Sequence, residues 1–475
     1  MGLIAWSVIC TISATYLIAD GLRQLRLVYL LVVTIFFIVG AVLICEVFVP
    51  RRRDTFAILP WSLAFFLLVF GVRSVDVLLN GSAYLGEPPF DSATRAAFQL
   101  ALFYAIVGLV AFLGGYYSRL GVALANSLQI LPRRWNRRRA RTVILVLAGV
   151  GIVGNVVLTA NLGGLRHYLL NKSEVLNTGM GGNYYVAWLG SMTGHSLFVA
   201  YAFWLAERRF CLLTWSVLFP LNVALGLGSG SKGAFLSTFL TLVMIFHYLK
   251  RRVSLKFMTL FVVAALSTFP VFNAYRGNFK DWSELWSNVR GMSVRIQDDK
   301  RVLVVSLLHR FTGIDMLTIA VRDTPRVAAF QFGKTLAPIA VAWIPRGLWE
   351  GKPVVSFGRV FAVRYLGSED EAAAPTILGE GYINFHVVGI IGICVTLGLL
   401  SRGVYHYCIV RGLGISGVYA YVMFFESLVR AWEWNIPGWV TGFLPSVATV
   451  VAISVWAGGS RSTALPAPGH RTRGS

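Results

Sequence analysis

The sequence predicts an all-α polytopic membrane protein with about 12 transmembrane helices and one long extracytoplasmic loop. Two observations predict this class. Hydrophobic residues make up 56% of the chain and charged residues only 13%, whereas soluble domains carry about 25% charged residues. A membrane-crossing helix needs roughly 20 apolar residues, and the 475-residue chain contains about twelve apolar runs of that kind.

The apolar runs divide the chain into four parts. The parts are an N-terminal bundle of about nine helices at 1–274, a loop at 275–380, C-terminal helices at 381–460 and a tail at 461–475. The predicted helices are 3–19, 27–48, 56–79, 96–118, 142–160, 183–206, 210–227, 233–249, 256–274, 381–400, 412–428 and 437–457.

The net charge of +22 is typical of a nucleic-acid-binding protein or of a membrane protein with basic cytoplasmic connections. With the N-terminus in the cytoplasm, the predicted inside connections and the tail hold 21 of the 43 Lys and Arg residues. The short outside connections hold eight and the long loop holds 14. This bias predicts cytoplasmic termini, an outer loop and no nucleic-acid partner. Arg23 and Arg26, in the first outside turn, oppose the bias.

The cysteines and two histidines fall in or beside apolar runs, so we interpret the cysteines as small core residues and the histidines as hydrogen-bonded core residues. Neither group shows metal-ligand spacing, and we expect no metal or other cofactor. The residues are Cys10, Cys45, Cys211, Cys394, Cys408, His195 and His386.

The long loop is the main polar segment, with 14 cationic residues against 11 acidic ones. The apolar spacing between Arg301 and Val321 predicts one or two amphipathic helices. The stretch Ala337 to Ile344 is apolar but too short to cross a membrane, so we expect a re-entrant or interfacial element there.

Several cations in or near the loop are candidates for binding phosphate. Arg276, Arg310 and Arg346 lie beside helix ends, apolar residues or prolines, and the arginine fork can bind phosphate oxygens with two parallel hydrogen bonds. The alternative is that they are solvated or contact lipid headgroups. Lys232 lies in the glycine-rich stretch 226–233. This stretch lacks Walker spacing and predicts a tight outer turn whose amides begin the next helix.

Three residues compete for the role of a general base. Glu380 stands between Gly379 and Gly381 at the predicted start of a membrane helix. Its carboxylate could favour the helix dipole there, or could deprotonate a hydroxyl if burial raises its pKa. His309 and Asp315 are the other two candidates.

Four short motifs, in this order, resemble the Wzy-type polysaccharide repeat-unit polymerases, which include the O-antigen polymerases. The resemblance covers roughly residues 220–400. Lys232 stands where an arginine is more usual, and His386 where a glycine is common. The motifs are Gly228-Ser229-Gly230-Ser231-Lys232-Gly233, Tyr275-Arg276-Gly277, Ile344-Pro345-Arg346 through Lys352-Pro353, and Gly379-Glu380-Gly381-Tyr382-Ile383-Asn384-Phe385.

The resemblance implies a multi-span architecture similar to the GT-C-like glycan polymerases and ligases, in the cytoplasmic membrane of a bacterium. It implies a metal-independent inverting glycosyltransferase that joins undecaprenyl-diphosphate-linked oligosaccharides at the outer face. Membrane lipids and a chain-length-regulating membrane protein are further implied partners. Glu380 is the implied general base, with His309 and Asp315 as alternatives. The implied diphosphate-binding residues are Arg276, Arg310, Arg346, Lys232 and Lys352. The implied sugar-binding residues are Trp282, Trp343, Trp349 and Tyr382.

Two other functions stay open. A glycan ligase performs the same chemistry on a different acceptor. A lipid or solute transporter would be expected to show broken helices and charges at the middle of the membrane, and the apolar runs contain few charges.

Overall fold

In the computed structural model, helices account for most of the described part of the chain, and that part contains no β-strand. Within that part an isolated antiparallel bridge joins Trp135 and Gly458. The described residues are 26–48, 54–80, 92–132, 134–171, 183–267, 272, 274–275, 279–298, 311–344, 348–349, 351–352, 357–368 and 373–458.

The helices are numbered here in chain order. Six of them continue into, or follow directly from, one of five π-helical turns, and the described part also has two short 3-10 helices. The π-helical turns are Ile44–Phe48, Leu67–Val72, Leu213–Leu218, Ala362–Leu366 and His406–Val410, and the 3-10 helices are Ala337–Val341 and Arg430–Glu433. The α-helices are α1 Arg26–Leu43, α2 Ile58–Phe66, α3 Arg73–Asn80, α4 Ser92–Tyr117, α5 Arg119–Ser127, α6 Arg137–Asn161, α7 Gly164–Leu170, α8 Tyr184–Gly190, α9 Met192–Glu207, α10 Phe219–Gly228, α11 Lys232–Leu249, α12 Leu255–Ser267, α13 Trp282–Asp298, α14 Gly313–Asp323, α15 Phe357–Phe361, α16 Thr376–Tyr405, α17 Gly414–Val429 and α18 Ile436–Ala457.

Six of the described helical stretches are long and apolar enough to cross a membrane. They coincide with six of the predicted helices and confirm an all-α, multi-pass membrane protein. The count of twelve stays a prediction. The six stretches are Leu27–Glu46, Ile58–Val77, Ala93–Tyr117, Arg137–Asn161, Thr376–Val410 and Ile436–Ala457.

The other predicted spans differ from these in length. The run predicted at 183–206 is divided between α8 and α9, and α9 alone has 16 residues. Leu213–Gly228 and Gly233–Leu249 are shorter apolar helices, and α17 also has 16 residues. The predicted helix 3–19 lies outside the described residues, and so does the end of 256–274 beyond Ser267. A helix of 16 residues rises about 24 Å, less than the roughly 30 Å of a bilayer core.

Helices α4 and α16 pack with their backbones in contact. A Cβ atom added at Gly115 would lie 2.3 Å from the carbonyl oxygen of Val395, and one at Gly398 would lie 2.2 Å from that of Phe112. Small residues at such crossings let two membrane helices approach closely. These glycines therefore fix where α16 stands against α4.

Part of the predicted outer loop is packed into the bundle. The predicted helix between Arg301 and Val321 is found from Gly313 as α14, whereas residues 301–310 lie outside the described part. Most of α14 is buried, with Ile314 and Leu317 in the main core and Met316 packed with α15. The stretch predicted as interfacial forms the 3-10 helix Ala337–Val341, which is far too short to cross a membrane.

The partly buried carboxylate of Asp54 joins three segments of the bundle. Asp54, which precedes α2, accepts hydrogen bonds from the hydroxyls of Tyr248 (2.9 Å) and Tyr405 (2.8 Å). Its other oxygen lies 3.3 Å from Nε2 of His247. Burial alone would raise the pKa of Asp54, but the hydrogen bonds from His247, the Phe56 amide and the two tyrosines lower it overall.

The expectations for cysteine and histidine are confirmed in part. Cys394 and Cys408 are buried, but Cys45 and Cys211 are exposed, so the core interpretation is wrong for those two; Cys10 lies outside the described residues. His195 is half-buried and its Nδ1 is 2.7 Å from the Tyr419 hydroxyl, as expected.

Candidate functional site

Helix α16 is interrupted two turns after it begins. Phe385 has φ −139° and ψ 27°, and His386 has φ 54° and ψ −145°, so neither residue is helical. The interruption frees the carbonyl oxygens of Ile383 and Asn384, which accept hydrogen bonds from the amides of Gln331 (2.9 Å) and Phe332 (3.2 Å). Broken helices in membrane proteins persist where protein groups satisfy the backbone in this way.

The chain folds back on itself at the interruption. A Cβ atom added at Gly389 would lie only 2.0 Å from the carbonyl oxygen of Gly381. In a continuous helix, residues eight apart are separated by about 12 Å along the axis. The part of α16 before the break therefore packs against the part that follows it, and both glycines are needed for that contact.

Glu380 lies inside this short first part of α16. The sequence predicted that it would stand at the start of the helix, but α16 begins at Thr376 and Glu380 is in its second turn. The side chain is fully buried. The expected interaction with the dipole of its own helix is therefore wrong, because the carboxylate faces another helix.

Both carboxylate oxygens of Glu380 accept hydrogen bonds. The Thr335 hydroxyl donates to Oε1 at 2.5 Å, and the backbone amide of Ile436 donates to Oε2 at 2.6 Å. Ile436 is the first residue of α18, so the carboxylate lies at the positive end of that helix. Asn435 caps the same helix by accepting from the Gly438 amide at 2.7 Å.

Asn384 fixes the directions of these hydrogen bonds. Its Oδ1 accepts from the Gly333 amide (2.8 Å), and its Nδ2 donates to the carbonyl oxygen of Glu380 (2.9 Å) and to the Thr335 hydroxyl (2.7 Å). Because Thr335 accepts from Asn384, its own proton points to Glu380. Both oxygens of Glu380 are thus acceptors, which is the hydrogen-bonding role of an ionised carboxylate.

No ion pair compensates Glu380 within the described part of the chain. A buried charge without a partner ion is costly. Ionisable residues inside membrane segments are therefore rare, and those that occur usually have a functional role. Instead, this carboxylate is held by two hydrogen bonds, one of which comes from the N-terminus of α18. Such a group can take up a proton without first separating from a cation.

Aromatic rings surround the break. The Tyr382 ring packs against Tyr104 (5.3 Å between centroids), His386 (4.9 Å) and Phe330 (5.9 Å). Tyr382 itself is buried, so its faces contact protein rings; its predicted role in sugar binding stays a prediction. His386 is exposed and lies 3.4 Å from the Tyr104 hydroxyl. The expectation of a core histidine at 386 is therefore wrong.

Asp315, the third candidate base, belongs to a buried ion-pair cluster. Its Oδ2 accepts from Nε of Arg73 at 2.9 Å, and Arg73 also pairs with Asp76. Burial raises the pKa of Asp315 to about 6, against the lowering effect of Arg73, and the charge of Asp76 adds to the rise. A carboxylate that is already paired with arginine is poorly placed to receive a proton from a substrate.

The predicted diphosphate-binding residues are only partly within the described residues. Lys352 is buried and its Nζ donates to the carbonyl oxygens of Ala342 and Ile344, both at 2.7 Å, so it holds the turn that follows the 3-10 helix. Ser231 begins α11 by accepting from the Ala234 amide, which confirms the tight turn before Lys232, whose side chain is not described. Arg276, His309, Arg310 and Arg346 lie outside the described residues.

The three tryptophans proposed to contact sugar are all exposed, with Trp282 at 48%, Trp343 at 67% and Trp349 at 40% of full exposure. Trp343 and Trp349 flank the turn held by Lys352, and the Tyr185 hydroxyl donates to the Trp343 carbonyl oxygen at 2.7 Å. Trp282 is apart from them on α13, which packs through Leu285 against Leu170. Two of the three tryptophans thus lie in segments that Lys352 joins by hydrogen bonds.

Sequence reasoning did not find Thr335, or the α18 terminus that Asn435 caps, as partners of Glu380. Asn435-Ile436-Pro437 is a helix-start signal that was present in the sequence. That signal can predict where α18 begins, but it carries no information about which side chain faces the terminus.

Comparison with known proteins gives one match. A family model described as a domain of unknown function, DUF8712, matches residues 183–409, just under half of the chain. The matched region contains Glu380, Thr335 and Asn384, but not the α18 terminus. No curated protein and no solved structure matches the chain.

Proposed function

We propose that this chain is a polysaccharide polymerase of the bacterial cytoplasmic membrane. It joins undecaprenyl-diphosphate-linked oligosaccharide repeat units by inverting glycosyl transfer at the outer face. The hydroxyl of the acceptor sugar attacks the anomeric carbon of the donor and gives its proton to Glu380. The bond between that carbon and the phosphate oxygen breaks, and the lipid diphosphate leaves with the electron pair.

One observation carries the proposal: Glu380 is fully buried at the break of a membrane helix, without an ion pair among the described residues. Its carboxylate is held by Thr335 and the Ile436 amide as a hydrogen-bond acceptor. A general base has to be ionised before the reaction and neutral after it. Asp315 meets this requirement less well, because it is paired with Arg73.

The acceptor hydroxyl reaches Glu380 from the side of Thr335. In the structure the Thr335 hydroxyl occupies one carboxylate oxygen and the α18 terminus occupies the other. The terminus belongs to a packed helix, whereas Thr335 lies in the segment between α14 and the 3-10 helix. The acceptor therefore displaces the Thr335 hydroxyl and takes over its hydrogen bond.

The leaving diphosphate requires positive charge where its own charge develops. In this proposal Arg276, Arg310 and Arg346 supply it, with Lys232 and Lys352 assisting. The exposed rings of Trp343 and Trp349 beside the Lys352 turn suit packing against sugar rings. About twelve spans, cytoplasmic termini and an outer loop, with a chain-length-regulating protein as partner, complete the proposal.

The direct test of function is electrophoresis of surface glycan from a strain that lacks this gene. A polymerase predicts loss of long chains with one repeat unit retained on the acceptor. Complete loss of glycan from the acceptor would instead indicate a ligase. Alanine at Arg276, Arg310 or Arg346 should abolish long chains while the protein still inserts, and normal chain ladders in all three variants would refute the diphosphate assignment.

A transporter is the second candidate, because the structure supplies observations that favour it. Transporters bind substrate at broken membrane helices and carry charges inside the membrane. Helix α16 is broken beside a buried carboxylate, and the candidate span Ile58–Val77 contains the buried Arg73 and Asp76. A transporter predicts that the deletion strain accumulates substrate on one side of the membrane and that purified protein extends no chains.

A further inference from the structure

An apolar groove lies at the end of the bundle where α9 and α11 finish. Helices α9, α11 and α12, with the π-helical turn Leu213–Leu218 and the start of α10, enclose a groove of about 540 Å³, within the roughly 300–1,000 Å³ of small-molecule sites. Aromatic and aliphatic side chains form its walls. They include Trp215, Phe219, Phe239, Leu242, Phe246 and Phe257.

The mouth of the groove is basic. Arg251 and Arg252 line it directly and are exposed. Lys250 and Lys256 adjoin them, also exposed. Arg208 and Arg209, which directly follow α9 in the sequence, are exposed as well, and Glu207 before them is paired with Arg137.

The connection that carries the two arginines is anchored. The Val253 amide donates to Nδ1 of His247 at 2.9 Å, and the Thr55 hydroxyl donates to the Val253 carbonyl oxygen at 3.0 Å. His247 is buried and is tied in turn to Asp54. The backbone that carries the Arg251 and Arg252 side chains is therefore held in place at the edge of the groove.

We propose that this groove binds one anionic phospholipid of the surrounding membrane. An acyl chain lies along the aromatic walls, and the phosphate binds Arg251 and Arg252 at the mouth. The combination favours this occupant because the groove is apolar along its length and cationic at one end. A soluble phosphate compound would leave the walls empty. Phosphatidylcholine also carries a phosphate, but its choline group would bring a positive charge to the basic mouth, so a lipid of net negative charge fits the mouth better. The charge bias of the connections places this lipid in the cytoplasmic leaflet, away from the site proposed at Glu380.

The test is native mass spectrometry of the full-length protein in detergent, titrated with phosphatidylglycerol or with phosphatidylcholine of the same chains. We expect one phosphatidylglycerol to be retained at about tenfold lower concentration than phosphatidylcholine, which corresponds to about 1.4 kcal/mol of binding free energy. The double variant R251Q/R252Q should lose this preference and bind both lipids alike.

Two further variants distinguish lipid binding in the groove from attraction of the lipid to any basic surface of the protein. R138Q/R141Q removes the same charge from exposed positions at the start of α6 and should keep the preference. V243W fills the groove and leaves the rim unchanged, so it should reduce retention of both lipids several-fold. Equal retention of the two lipids by the native protein would overturn the proposal. The proposal would also be overturned if R138Q/R141Q reduced the lipid preference as much as R251Q/R252Q does. Unchanged retention of both lipids by V243W would overturn it as well.

Discussion

The two buried carboxylates Glu380 and Asp315 lie on packed helices but are stabilised in different ways. Asp315 contacts a guanidinium, in a cluster that also includes Asp76. Glu380 is held by a hydroxyl and a backbone amide, and no described cation pairs with it. The two helices are in contact, since Ala320 of α14 lies beside Gly379 of α16.

The difference in partners predicts different roles for the two carboxylates. An ion pair such as that of Asp315 joins two helices across the bundle and resists removal of either partner. A carboxylate without a cation carries the cost of burial with little compensation, and evolution keeps such groups mainly where they act. We therefore expect the Arg73 cluster to contribute to stability, and the proposed function gives Glu380 a role in the reaction.

The largest effect is expected from removing the charge at Glu380. Glu380→Gln should reduce long-chain glycan in cells by about 100-fold or more, the usual contribution of a general base. Membrane protein levels should stay near those of the native chain. Asp315→Asn makes the same chemical change at the other buried site and should leave the chain ladder present. If the two variants behave alike, the comparison between the carboxylates is broken.

Next in size is the loss of the guanidinium from the ion-pair cluster. Arg73→Met leaves two buried carboxylates facing each other and should cost about 3–5 kcal/mol of stability. Thermal unfolding of the detergent-purified protein measures this. Arg137→Met breaks the pair with Glu207, in which the arginine is largely exposed, and should cost about 1 kcal/mol or less. An unchanged melting temperature in Arg73→Met would show that the cluster is not structural.

A smaller effect is expected where α16 folds back. Gly389→Ala places a methyl group against the Gly381 carbonyl oxygen and should cost about 1–3 kcal/mol. Because the fold-back positions Glu380, glycan chain length should fall as well. Gly392→Ala is the matched control on the same helix, since no atom lies within 4 Å of the added methyl. Equal melting temperatures for the two variants would contradict the fold-back.

The smallest effect concerns pH. The folded-state pKa of Asp315, about 6, lies above its ordinary value of 3.8, so the folded state binds more protons between those values. Its contribution to stability therefore falls as pH rises from about 4 to about 6. Comparing the native protein with Asp315→Asn isolates this contribution from that of Asp54, whose pKa is lowered. The native melting temperature relative to the variant should decline over that window; a constant difference would contradict the assignment.

Much of the fold is predictable from the sequence, because apolar length and charge distribution depend on local composition. The six long candidate spans coincide with predicted helices. The start of α16 is less predictable: Thr376 lies five residues before the predicted boundary because the first part folds back beside the span. Phe385 and His386 carry no proline or glycine signal, so the break is set by packing with Gln331 and Phe332.

The candidate site is predictable only as a set of residue types. Glu380 stands out in the sequence because a carboxylate between two glycines precedes an apolar run. Its partners do not, because Thr335 is 45 residues away and Ile436 is 56 residues away along the chain. Asp315 is 242 residues from Arg73. Contacts over such separations depend on how the helices pack.

The central claim is that Glu380 receives the proton of an acceptor hydroxyl during chain extension. The most direct measurement uses purified native protein and Glu380→Gln in lipid nanodiscs, each supplied with a synthetic polyprenyl-diphosphate-linked repeat unit. The account predicts a ladder of extended lipid-linked chains from the native protein, and bound but unextended substrate with the variant. A ladder of equal length and rate from Glu380→Gln would contradict it.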